Sequence, residues 1–172
     1  EFGVLNKDGT IGTYMAPTDG IDYWWRQKEK NRLEDEKMKP QIRFSFAESL
    51  ALERILTFQT ERAKHTITLS YLMDKWSLFV TKVEGEYRLT IDDYTNSLSV
   101  RNVLQDILNA CPANVDLKEW VIEWDSRFAR VTRITKEPLL HPLDNEKLDW
   151  WWFRVPVHPG TKLKEWLQDK LE

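Results

Sequence analysis

The residues best placed to do chemistry are Asp92 and Asp93, with Tyr94 beside them and Glu84 and Glu86 just upstream. Paired carboxylates can hold a cation or share a proton. The same stretch reads Thr90-Ile-Asp-Asp93, a spacing in which a hydroxyl and a carboxylate satisfy the free N–H groups at a helix start. The capping reading is preferred. The three histidines, His65, His141 and His158, lie far apart and at element ends. An active site would have to be assembled in three dimensions from His65, Asp92, Asp93 and His158.

Other chemistries find less support. H-E-x-x-H and clustered Cys and His are both missing, so no metal is expected. Gly9-Thr-Ile-Gly12 lacks the further glycine and the lysine of a phosphate-cradling loop, and no cofactor is expected. Cys111 is the only cysteine, so there is no internal disulfide. It falls on an apolar helical stripe before Pro112 and reads as core.

Residues 148–160, LDWWWFRVPVHPG, raise a different question. Pro156 and Pro159 argue against a helix through 150–158, so an extended strand is expected near 151–157. Side chains then alternate. Trp151, Phe153, Val155 and Val157 would face the core, and Trp150, Trp152, Arg154 and Pro156 the other side. Trp and Arg are enriched at binding hot spots, and a guanidinium over an indole is attractive. Trp150, Trp152 and Arg154 are therefore candidate partner-binding residues, together with Trp24 and Trp25. Pro156 suits an edge strand, which can accept a partner's strand.

Those residues need a scaffold. Leu69, Leu72, Met73, Trp76, Phe79, Val80 and Val83 form one continuous helical face, with Gly85 at the place of a left-handed cap. Ser45-Phe-Ala-Glu48 has capping-box spacing and opens a helix over about 46–63, with Leu50, Ala51, Ile55 and Phe58 on one face. Residues 98–111 carry Val100, Val103, Leu104, Ile107 and Leu108. Asp116 to Glu119 offers a cap for a helix with Leu117, Trp120, Val121, Trp124, Phe128 and Val131. A last helix starts at Pro159-Gly160-Thr161 and carries Leu163, Trp166, Leu167 and Leu171. Asp19–Lys39 reads as a further helix, with Ile21, Trp24 and Trp25 as its apolar face.

The expected fold is α+β and mainly α. It has a bundle-like core of four or more amphipathic helices and a small β element. That element comprises an N-terminal hairpin around Asp8-Gly9, a strand near 41–46 and the strand near 151–157. One globular domain over 1–172 is expected, with 1–18 as a hairpin or an arm in part a cloning remnant.

A net charge of −3 gives no electrostatic case for binding nucleic acid, and the basic run 26–32 is interleaved with acids. Asp116, Glu119, Glu123 and Asp125 form an acidic stretch, read as a solvated face or a surface for a basic partner. No apolar run approaches the roughly 18 residues of a membrane helix, so no membrane association is expected. A single cysteine fits a reducing, cytoplasmic setting. These readings favour a non-catalytic protein-binding domain, of the immunity or antitoxin inhibitor kind or an accessory subunit, with another protein as partner. The alternatives are an enzyme with a site assembled from distant residues and a nucleic-acid-binding accessory protein.

Overall fold

The structure, a computed structural model, describes residues 4–5, 11–12, 41–139 and 148–171. The chain divides after Pro40 into two units. In the first, β1 (Val4–Leu5) pairs antiparallel with β2 (Ile11–Gly12), as the hairpin reading expects. The expected helix over Asp19–Lys39, with Trp24 and Trp25, lies outside the described residues.

Among the described residues the second unit holds five α-helices and one small antiparallel sheet. The fold is α+β and mainly α, as the apolar periodicity predicts. The helices are α1 (Phe46–Ala63), α2 (Leu69–Glu84), α3 (Ile91–Ala110), α4 (Val115–Arg130) and α5 (Thr161–Leu171). Each of the first four starts on a side-chain cap. Ser45 and Glu48 form the expected reciprocal box at α1, and Thr68 accepts from the Tyr71 N–H at α2. Thr90 and Asp93 form a second box at α3. The carboxylate pair thus begins a helix, which starts earlier than the apolar pattern from 98 suggests. Asn114, not Asp116, caps α4: its Oδ1 accepts from the Leu117 N–H at 3.1 Å.

Helix α2 is the centre of the core. Leu72, Met73, Trp76, Phe79, Val80 and Val83 are all buried, on the face their spacing predicts. Trp76 and Phe79 stack with Phe128 of α4, and Phe79 meets Tyr94 of α3 edge-on at 5.1 Å. Interlocked rings of this kind are attractive beyond the area they bury. Leu98, Leu104 and Ile107 complete the core from α3, Leu117 and Val121 from α4, and Leu163 and Leu167 from α5.

Several local expectations are corrected. Residues 41–45 are not a strand. Their alternation is real, with Ile42 and Phe44 packed on the core, but no ladder forms, and the Arg43 carbonyl instead accepts from Asn114 Nδ2 at 2.9 Å. Helix α1 turns Leu52, Ile55 and Leu56 inward, while Leu50 and Phe58 are exposed. Gly85 has φ −87°, so no left-handed cap is present there. The glycine that matters is Gly160. Its N–H donates to the Tyr87 carbonyl at 2.7 Å, and a Cβ at this position would sit 2.5 Å from that oxygen. Only glycine permits the approach.

The tryptophan stretch departs most from expectation. Trp150–Phe153 form a 3-10 turn, and only Arg154–Pro156 (β4) is extended. Its partner is β3 (Thr132–Ile134), which follows α4 directly, with Thr132 opposite Pro156 and Ile134 opposite Arg154.

Candidate functional site

A 3-10 turn rotates successive side chains by about 120°, not the half-turn of a strand. Trp151 and Trp152 therefore both turn inward, 1% and 5% exposed. Each indole N–H donates to Asn102 Oδ1 of α3, at 2.8 and 3.0 Å. The expectation that Trp152 shares an outward face with Trp150 is corrected: it is core. Trp150 remains outside, 41% exposed, packed edge-on against Trp151 and supported by Phe128.

Arg154 does lie over Trp150, with its guanidinium carbon 5.5 Å from the ring centroid. It also has a structural task. Its Nη2 donates to the Ala129 carbonyl at 2.7 Å and to the Thr132 carbonyl at 3.2 Å, and its Nε to Thr132 Oγ1 at 2.8 Å. The Ala129 carbonyl is one of the last of α4, and a cation there satisfies an orphan acceptor and opposes the helix dipole. Directly opposite Arg154 in the ladder stands Ile134, 73% exposed. Paired residues of an antiparallel ladder project to the same face. Trp150, Arg154 and Ile134 thus form one aromatic, cationic and aliphatic surface. Ile134 was missed because Thr132–Ile134 is too short to show a period.

Beneath this surface the support is polar and buried. Arg101 is sandwiched between Trp151, 4.3 Å from its ring centroid, and Asp125, which it grips through Nε and Nη2 at 2.7–3.1 Å. Asp125 is therefore held internally and not offered to a basic partner. Asp116, Glu119 and Glu123 are exposed, as a solvated face requires.

The candidate catalytic residues do not assemble. His65 is exposed beyond α1, its Nδ1 3.0 Å from the Ala63 carbonyl and its ring against Tyr71. Asp92 is exposed in the first turn of α3. Asp93 lines a cleft of about 290 Å³ beside Lys82 and Tyr87. There it serves Thr90, whose hydroxyl and N–H hold its carboxyl below the usual range. His158 lines a different cleft, with Arg133 and Lys164. The upstream acids are also taken: Glu84 pairs with Arg127 at 2.6 Å and Glu86 with Arg88 at 2.9 Å. Burial pushes the Cys111 thiol up, and the Glu48 charge adds to it, the reverse of an activated nucleophile. Among the described residues no group of three or more His, Cys, Asp or Glu could hold a metal ion. None of the described helices is long and apolar enough to cross a membrane.

No family model matches the chain, and no curated protein and no solved structure matches it either.

Proposed function

We propose that this chain is a non-catalytic protein-binding domain, an inhibitor of the immunity or antitoxin kind or an accessory subunit. It docks through the surface of Trp150, Ile134 and Arg154. The observation that carries this reading is Trp150, held 41% exposed on a rigid support of buried rings beside an isoleucine 73% exposed. A preorganised aromatic next to a guanidinium is the composition of a binding hot spot. Little side-chain freedom is left to lose when a partner covers it. A buried free thiol at Cys111 suits a reducing compartment, so a cytoplasmic setting is part of the proposal.

The test is affinity capture from the source cell with the unaltered chain, Trp150→Ala, Ile134→Asp and Phe58→Ser. Phe58 is 55% exposed on α1 and serves as the control. Trp150→Ala and Ile134→Asp should keep the folded spectrum and lose the partner, while Phe58→Ser keeps it. No specific capture by the unaltered chain, or equal capture by all four, sinks the proposal. Trp152→Ala is unsuitable, because deleting a buried Trp costs roughly 3–5 kcal/mol and would abolish binding through unfolding.

A further inference from the structure

The β3–β4 ribbon has a second side. Residues alternate along a strand, so Arg133 projects opposite to Ile134 and Arg154. It enters a cleft of about 800 Å³ between the end of the ribbon and α5. His158 and Lys164 line the same cleft, Val157 and Leu167 supply apolar wall, and Glu86 is the acid at its rim. Among the described residues the pairing of charges is uneven. Arg88, Arg101 and Arg127 each hold a carboxylate. Among the described residues no carboxylate pairs with Arg133, Lys164 or His158. Glu86 pairs with Arg88 at 2.9 Å on the exposed surface, and so offsets only part of the basic charge. The cleft thus gathers an excess of basic over acidic side chains on a chain whose net charge is −3.

We infer that this cleft binds an acidic peptide segment, its carboxylates on Arg133 and Lys164 and an apolar side chain between them against Val157 and Leu167. The apolar wall favours a peptide over a bare inorganic anion. The lining has no Trp, Tyr or Phe ring on which successive bases could stack, only the imidazole of His158, so a nucleic acid fits less well. The ligand's being a protein segment rests on the protein-binding reading. The site itself is separate from Trp150.

The test is an amide-shift titration of the full chain with a blocked peptide alternating Glu and Leu. Parallel arms use the same peptide with Gln for Glu, inorganic phosphate, and a single-stranded oligonucleotide. Saturable shifts should be confined to Arg133 and the stretch from Val157 to Leu167. Affinity should fall at least roughly tenfold in Arg133→Glu and in Lys164→Glu, and weaken with added salt as exposed charge pairs do. Both side chains are exposed, so the fold should survive; if a reversal perturbs distant amides, Arg133→Gln and Lys164→Gln replace it. Trp150→Ala should leave the titration unchanged, which separates failure here from failure of the aromatic surface. Absence of saturable shifts, an equal response to the Gln peptide or to phosphate, tighter binding of the oligonucleotide, or indifference to Arg133 and Lys164 overturns the inference.

Discussion

Asn102 Oδ1 accepts the indole N–H of Trp151 at 2.8 Å, and the same oxygen accepts that of Trp152 at 3.0 Å. One side chain on α3 thereby fixes two consecutive residues of the 3-10 turn and sets where Trp150 points. Asn102→Ala removes the acceptor for both donors, and a buried donor left unsatisfied costs about 1–3 kcal/mol. We expect Asn102→Ala to destabilise the protein by roughly 2–4 kcal/mol in urea unfolding, while Asn102→Asp, which keeps an acceptor in place, loses less than half as much. A cost below about 0.5 kcal/mol for Asn102→Ala would show that the turn is held by packing alone.

How much of this was legible depended on the length of each pattern. Helix α2 carries its apolar residues over four turns, so its spacing left no alternative, and the boxes at Ser45 and Thr90 marked their helix starts from four residues each. The tryptophan stretch misled because Pro156 and Pro159 argue against an α-helix but not against a short 3-10 turn ahead of them. With that turn, the alternation that put Trp152 outside no longer applied. Arg101 and Asp125, separated by 24 residues, carry no local mark of their pairing, and Asp125 read only as part of an acidic stretch. At the aromatic surface, Arg154 does lie over Trp150, but through the 3-10 turn and not through the strand alternation that suggested it. Ile134 came to that surface only through a ladder between distant parts of the chain, which no local period reports.

The Arg101–Asp125 pair makes an asymmetric prediction. Their side chains are 4% and 14% exposed, and the guanidinium also covers Trp151. Removing one member of a buried pair leaves a charge without its counter-ion, at a cost of about 3–5 kcal/mol. Replacing both by apolar residues of similar size removes that penalty. Asp125→Ala should therefore be destabilising by about 3 kcal/mol, and the double variant Arg101→Met, Asp125→Leu should be more stable than Asp125→Ala alone. A double variant less stable than either single one would show that the pair's hydrogen bonds, including those from Arg101 to Gln105, outweigh its desolvation.

Glu84 and Arg127 offer a pH test with a definite sign. Hydrogen bonds from Arg127, reinforced by its charge, hold the Glu84 carboxyl below its ordinary value of 4.5, although burial pulls the other way. A carboxyl whose folded pKa is depressed adds stability in full above the unfolded value and loses it as pH falls through the folded one. The window therefore opens near 4.5 and extends downward. Both side chains are somewhat under a third exposed, so the contribution is screened and should stay below about 1 kcal/mol. Glu84→Gln should thus be slightly less stable than the unaltered chain at neutral pH. Its deficit should shrink in 1 M salt and close in acid, once pH has fallen below the depressed folded value and the carboxyl is protonated in folded and unfolded chains alike. Urea midpoints at neutral pH and in acid measure the gap. A deficit that persists unchanged into acid would mean that Glu84 acts through shape and neutral hydrogen bonding, not through its charge.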